Sequence, residues 1–337
     1  MGIDLPLIWA VIILFAVMMY VVMDGFDLGI GLLFPFIRER GDRDVMVNTV
    51  APVWDGNETW LVLGGAGLLA AFPVAYSIVL EALSVPIVMM LVGLIFRGVA
   101  FEFRFKAPAA ARPRWDLAFW GGSVVAALAQ GVVLGSFLNG LAAPDGHAGP
   151  GLGGLPWLAP FPLFTGLGLL VGYGLLGVTW LVMKTEGRLQ ERFVAIARPL
   201  AWAFLAVIVV ISVWTPLAHP RIAQRWFSYP NVFWFAPVPL LVGVALWQLQ
   251  AALRRGSGVA PFLWTLLLVF LGYSGLGISL WPFVVPPTLT IWDAAGPPQS
   301  LGFTLVGALL IIPMILVYTG WSYWVFRGKV RAGEGYH

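Results

Sequence analysis

Residues Met23–Gly31 read MDGFDLGIG and place two carboxylic acids, Asp24 and Asp27, inside an apolar segment that runs from Leu5 to about Ile37. On a helix, Asp24 lies about 28 Å from Leu5, past the bilayer centre. Positions three apart share one helix face. Each unpaired ionised carboxylate costs about 2.5 to 3.5 kcal/mol in a bilayer. We therefore expect both acids to be protonated, paired, or turned towards water or a partner.

The composition indicates a polytopic membrane protein. Of the 337 residues, 60% are hydrophobic and 10% charged, with a mean hydropathy of +0.90. Met1–Pro6 carries no Lys or Arg, so we expect the first apolar segment to be retained rather than cleaved as a signal peptide. The absence of cysteine excludes disulfides, thiolate clusters and a catalytic thiol. The net charge of +3 indicates no nucleic acid, because basic residues follow membrane segments.

Apolar runs of spanning length predict an all-α fold with nine transmembrane helices. Every Lys and Arg except Arg221 and Arg225 falls on one side of these helices, which predicts an external N-terminus and a cytoplasmic C-terminus. The predicted spans are 5–37, 51–73, 76–101, 116–142, 161–183, 199–217, 231–253, 260–285 and 301–326.

Further acids are expected at the depth of the first pair. Asp55 and Glu58 lie three apart within about 10 Å of the start of the second helix. The third helix returns to the same side, so Arg97 is the natural counter-charge for one of the four acids. Together they predict a polar funnel open to the cytoplasm. Plainer interpretations stay open: helix packing for Asp24 and Asp27, capping for Asp55 and Glu58, and snorkelling for Arg97.

Other chemistry is poorly supported by the sequence. The histidines, His147, His219 and His337, all lie outside the predicted spans, so no bis-histidine haem site is expected in the membrane. Methionines within spans are more often core residues than ligands. We expect this chain to hold no catalytic residue, metal site or ligated cofactor. Intramembrane ionisable residues belong to the first half of the chain, which places proton movement there.

Four stretches resemble subunit II of the cytochrome bd family of quinol oxidases, including its cyanide-insensitive branch. They are MDGFDLGIG, APVWDGNETWLVLGGAGLLAAFP, LIFRGVAFEFR and FVVPPTLTIWDA, in the family's order. The resemblance implies two four-helix bundles plus one peripheral helix. It divides the chain into 1–143, with the acids; 144–160, an outer Gly/Pro-rich loop; 161–285, a mainly structural bundle; and 286–337, an outer loop, the ninth helix and the tail.

The resemblance also implies a function. Such an oxidase takes electrons from quinol and reduces oxygen to water, with haem b and haem d in subunit I, in the bacterial cytoplasmic membrane. Subunit II would supply acids of a proton path, here Asp24 or Asp27 and Asp55; Glu58 joins them by its spacing alone. Trp60 matches a position associated with the oxygen route. A small single-helix accessory subunit is a further expected partner, and some members hold a structural quinone in this subunit.

Two alternatives from other functional classes stay open at this point. An ion-coupled secondary transporter also places acids beside glycines in a membrane helix, but its second half should then contain a matching broken helix with ionisable groups. A purely structural scaffold for a haem-bearing partner fits everything except the cost of burying the acids.

Overall fold

The computed structural model describes residues 3–141, 155–331 and 333. Within them the chain forms twelve α-helices and one short hairpin. The helices are α1 Leu5–Leu33, α2 Arg40–Asn48, α3 Trp54–Ala71, α4 Pro73–Lys106, α5 Arg112–Asn139, α6 Pro160–Lys184, α7 Gly187–Ala218, α8 Pro220–Phe227, α9 Asn231–Phe235, α10 Pro237–Arg254, α11 Ala260–Leu280 and α12 Pro298–Val325; the hairpin strands are β1 Phe283–Val285 and β2 Leu289–Thr290.

In the described part of the chain, eight helical segments are long and apolar enough to cross a membrane. They coincide with the predicted spans except for the second. Helix α3 falls short because its first turns carry the polar run WDGNET. The membrane-embedded, helical character of the fold is thus confirmed, whereas the second span, and with it the count of nine, stays a prediction.

The long helices alternate in direction, so the bundle has an arginine-rich end and an opposite end. At the opposite end, the indole nitrogen of Trp9 on α1 donates to the carbonyl of Leu301 on α12 over 3.0 Å. At the arginine-rich end, Lys184 on α6 donates to the carbonyl of Phe326, just beyond α12, over 2.5 Å. Helix α1 lies at the centre and packs against α3, α5, α6, α11 and α12.

Glycines set the closest helix contact in the molecule's centre. A Cβ on Gly29 of α1 would lie 1.8 Å from the carbonyl oxygen of Tyr173 on α6, and one on Gly177 would lie 2.4 Å from the Gly29 carbonyl carbon. Only a residue without a side chain allows two helix backbones to approach in this way. The DGFDLGIG stretch is consequently buried on every side.

The structure differs from the sequence-based expectations in two places, and a third expectation lies largely outside the described residues. Arg40–Asn48, expected as loop, forms α2. The span expected over 260–285 ends at Leu280, and the hairpin follows it, so the fold is not entirely α-helical. Pro282, Pro286 and Pro287 explain this, because proline removes backbone donors that a continued helix needs. The expected outer loop at 144–160 lies largely outside the described residues, which resume at Leu155.

An ion network closes the arginine-rich end between α2, α4 and α5. Arg104 contacts Asp44 over 2.5 Å and Asp116 over 2.6 Å, and Arg43 contacts Asp116 over 2.8 Å. The Arg104 side chain is 3% exposed, so these contacts are shielded from solvent. The network fixes the loop between α1 and α3, and with it the start of α3.

Adding one methyl group at Gly29 should therefore separate α1 from α6. The added methyl group of Gly29→Ala would collide with the backbone of α6, which cannot move aside as a flexible side chain can. We therefore expect the free energy of unfolding to fall by roughly 3 kcal/mol, at the upper end of overpacking effects. Gly243→Ala is the matched control, because no atom lies within 4 Å of its added Cβ. Thermal unfolding of the purified complex measures both; equal midpoints for the two variants would contradict this packing.

Candidate functional site

The two acids of α1 meet a buried arginine in the bundle interior. Asp24, Asp27 and Arg97 each have 0% exposure. Arg97 comes from α4, and its Nη1 lies 2.7 Å from Asp24 Oδ1 and 4.0 Å from Asp27 Oδ2. The three-residue spacing on α1 turns both carboxyls to the same side, towards α4. The guanidinium thus lies between two acids that the membrane interior would otherwise disfavour.

Glu58 of α3 completes this cluster from its more open side. Its Oε1 pairs with Nη2 of Arg97, while 27% of the Glu58 side chain remains exposed. Three carboxyls therefore share the guanidinium of Arg97, which cannot lose its proton in a protein. Asp24, Asp27, Glu58 and Arg97 are called the acid cluster below. Three carboxyls outnumber the single positive charge. Some of them must therefore be protonated, because an unpaired buried charge is costly.

Aromatic rings hold the arginine from the other side. The Arg97 guanidinium carbon lies 5.9 Å from the ring centre of Trp54 and 5.8 Å from that of Phe101. The two rings are themselves stacked, 5.1 Å apart. Cations are attracted to such ring faces. The rings fix Arg97 in place without contributing a group that exchanges protons.

Several polar atoms in the acid cluster have no directed hydrogen bond among the described residues. They include both carboxyl oxygens of Asp24 and Oδ1 of Asp27. The contact between Arg97 and Asp24 is close enough for an ion pair, but its angles are not those of a directed hydrogen bond. Buried oxygens of this kind normally bind a proton or a water molecule. The arrangement suits groups that exchange protons.

Asn57 of α3 contacts Asp27 at Oδ2, the same oxygen that Arg97 approaches. The Asn57 amide nitrogen donates to Asp27 Oδ2 over 2.8 Å, and its amide oxygen accepts from the hydroxyl of Tyr323 on α12 over 2.8 Å. Asn57 is 1% exposed. Sequence reasoning missed both residues as site residues. Asn57 stands in the polar run WDGNET, which was a usable signal, whereas Tyr323 resembled an ordinary interfacial aromatic.

A second hydrogen-bonded chain begins beside Asp24. The hydroxyl of Tyr20 lies next to the Asp24 carboxyl. Gln130 of α5 donates to the Tyr20 oxygen over 2.7 Å, and Tyr173 of α6 donates to the amide oxygen of Gln130 over 2.7 Å. Gln130 was recognisable as a polar residue deep within an apolar helix. The two tyrosines were hidden among the many aromatic residues of the spans.

Two predicted site residues lie apart from the acid cluster. Asp55 is exposed on the first turn of α3, one turn before Glu58. Trp60 is completely buried, and its ring meets that of Phe15 edge to face at 5.6 Å. Its indole nitrogen has no hydrogen-bond partner among the described residues. Trp60 is thus placed by apolar packing and not by the polar network.

The described residues contain no group of three or more His, Cys, Asp or Glu side chains arranged to hold a metal ion. His219 lies between α7 and α8, where its Nε2 is 3.2 Å from Asn139 Oδ1. Burial, with a smaller contribution from Arg221, lowers the pKa of His219. His147 and His337 lie outside the described residues.

Comparison with known proteins gives a consistent result. The family model for cytochrome bd terminal oxidase subunit II matches residues 5–326. Cytochrome bd-I ubiquinol oxidase subunit 2 of Escherichia coli K12 is 31% identical over 366 residues, covering 97% of this chain and 95% of the relative. Cytochrome bd ubiquinol oxidase subunit 2 of Bacillus subtilis is 27% identical and covers 97% of each chain.

A solved structure shares the fold. A chain of the bd oxidase from Geobacillus thermodenitrificans superimposes with a TM-score of 0.74 at 18% identity, covering 94% of this chain and 98% of that one. The motif-based resemblance is therefore confirmed. The chain belongs to the cytochrome bd terminal oxidase subunit II family, and is one subunit of a membrane-bound quinol oxidase.

Proposed function

We propose that the acid cluster is part of a path that carries protons towards the oxygen-reducing haem of the partner subunit. The observation that carries this proposal is the sharing of one buried guanidinium by the carboxyls of Asp24, Asp27 and Glu58. The permanent positive charge of Arg97 stabilises ionised carboxyls in the membrane interior. The carboxyls that it does not neutralise must be protonated, and these protons can exchange. Family membership favours this interpretation over an ion-coupled transporter.

The path has a natural direction. Asp55 is exposed and Glu58 partly exposed at the arginine-rich end, whereas Asp24 and Asp27 are enclosed. Protons would enter at Asp55 and Glu58 and move inwards past Arg97. Each carboxylic acid can accept a proton on one oxygen and release one from the other. Arg97 keeps its charge throughout, so it stabilises whichever carboxyl is ionised at the time.

The wider assembly follows the same proposal. This chain, ligating no cofactor, would adjoin subunit I, which would hold haem b and haem d and oxidise quinol. The N-terminus would lie outside and the C-terminus inside the bacterial cytoplasmic membrane, and α3 would be the second of nine spans. Two four-helix bundles, in 1–143 and 161–285, would be flanked by the peripheral α12. Trp60 would line an oxygen route; a small accessory subunit and a structural quinone are compatible additions.

Replacing the acids by amides should slow turnover without preventing assembly. Asp27→Asn keeps the size of the side chain but cannot take up a proton, so we expect oxygen consumption to fall by about 100-fold. For Asp55→Asn we expect a smaller loss, about tenfold, because water can reach its exposed position. Oxygen uptake by the purified complex, normalised to haem content, measures both effects.

Glu102→Gln provides the matched control for these variants. Glu102 lies on α4 near the same end, is 60% exposed, and contacts Lys106 rather than the acid cluster. Its replacement should leave turnover unchanged. If Asp27→Asn instead reduced assembly while the assembled, haem-containing fraction kept full activity, the acids would serve as a scaffold and the proton path would be disproved.

Removing the shared cation should destabilise the complex in a pH-dependent way. Arg97→Gln leaves buried carboxyls without a counter-charge, which costs about 3 to 5 kcal/mol when they are ionised. Lowering the pH protonates those unpaired acids and should restore part of the lost stability. Thermal unfolding measured from pH 5 to 8 tests this, with the exposed Arg255→Gln as control. A loss that does not diminish at low pH would contradict the charge balance described here.

A further inference from the structure

Asn57 is a buried amide whose two ends meet different partners. Its nitrogen donates to Asp27 Oδ2 over 2.8 Å and to the Met23 carbonyl oxygen over 3.4 Å. Its oxygen accepts from the Tyr323 hydroxyl over 2.8 Å. Hydrogen bonds in such a chain polarise one another, so a donor at the amide oxygen strengthens the amide N–H. Here the accepting end is taken by a phenol, and the donating end faces the acid.

The ring of Tyr323 is held firmly where it can do this. It meets Phe26 of α1 edge to face at 6.4 Å and Trp180 of α6 edge to face at 6.0 Å. Just beyond α12, the chain makes two hydrogen bonds with Lys184. The Lys184 side chain donates to the Phe326 carbonyl over 2.5 Å, and the Val330 backbone N–H donates to the Lys184 carbonyl over 2.9 Å. Helix α12 therefore has an anchored point of contact with the centre of the bundle.

We propose that Tyr323 is a positioning residue that controls the protonation of Asp27 through its hydrogen bond to Asn57. With the hydroxyl present, the amide oxygen of Asn57 accepts a hydrogen bond, which polarises the amide and strengthens its N–H as a donor to the Asp27 carboxylate. Without the hydroxyl, Asn57 keeps its orientation, because its nitrogen also donates to the Met23 carbonyl oxygen. Its N–H is then a weaker donor, so the carboxylate of Asp27 loses part of its stabilisation.

The other charged and titratable groups near Asp27 do not change in this comparison. They are Asp24 on the same helix, Arg97 of α4 at 4.0 Å, and Glu58 of α3, which shares that arginine. Gln130 of α5 and Tyr173 of α6 connect to the Asp24 side of the acid cluster. None of them contacts the oxygen of Asn57, so removing the Tyr323 hydroxyl isolates the effect of this one hydrogen bond.

The chain offers a close control on the same helix. Tyr318 and Tyr323 both line a shallow cleft between α12 and the start of α3. Tyr318 is 64% exposed, and its ring approaches Gly56 rather than Asn57. Tyr318→Phe therefore removes a hydroxyl from the same cleft without touching the amide.

Infrared difference spectroscopy of the intact oxidase complex tests the proposal. The carbonyl band of protonated Asp27 is identified by its loss in Asp27→Asn. In Tyr323→Phe the pH at which this band half-disappears should rise by about half a unit, a roughly threefold change in proton affinity. Tyr318→Phe should leave it unchanged. An unshifted midpoint in Tyr323→Phe, or an equal shift in both variants, would overturn the proposal.

A second variant keeps the test decisive. Asn57→Leu removes the amide N–H, so it should also raise the midpoint, and adding Tyr323→Phe should then shift it no further. A further shift in the double variant would show that the tyrosine acts independently of Asn57 and would overturn the proposal. Haem content verifies assembly in each case.

The consequence for turnover rests on the proposed function of Asp27, but the positioning does not. If Asp27→Asn leaves oxygen consumption unchanged, the proton path fails, while the infrared titration still decides whether Tyr323 controls Asp27. If the proton path holds, Tyr323→Phe should lower turnover at a pH where the wild-type carboxyl is ionised, and Tyr318→Phe should not. Equal turnover in the two variants, despite a shifted band, would limit the role of Tyr323 to protonation alone.

Discussion

A guanidinium without access to water is the constraint around which this molecule is arranged. Arg97 is stable in the bundle interior only because Asp24, Asp27 and Glu58 surround it. Conversely, the carboxyls depend on Arg97, since each would be costly alone. The contributing helices α1, α3 and α4 therefore have to meet at one depth, and the chain reverses direction twice between them.

The face of α1 that points away from the acid cluster packs against α6, and glycines make this close contact possible. Because Gly29 allows the backbones of α1 and α6 to touch, Asp24 and Asp27 can point at α4 while the rest of the helix is sealed by Tyr173 and its neighbours. A wider α1–α6 spacing would open a gap through which lipid or water could reach the acids. Close helix packing and the burial of charge are thus parts of one arrangement.

Much of this could be predicted from sequence, because the signals were local. The three-residue spacing of Asp24 and Asp27, the direction of the third helix and the position of Arg97 place the groups of the acid cluster near one another before any tertiary structure is known. The Tyr323–Asn57 contact joins residues 266 positions apart, and nothing local distinguishes Tyr323 from an interfacial anchor. The hairpin after α11 was missed because its apolar residues continue the composition of the helix, although the prolines were visible.

The second half of the chain acquires a role through this geometry despite its lack of intramembrane acids. Trp180 of α6 and Phe262 of α11 pack around Phe26, directly behind the acid-bearing turn of α1. Tyr323 joins the same aromatic group and adds the single polar atom that reaches Asn57. These aromatic residues of the later helices enclose the acid-bearing turn of α1 from one side. Because Asp24, Asp27 and Arg97 are fully buried, Glu58 is the one member of the acid cluster that keeps access to the surface of the described chain.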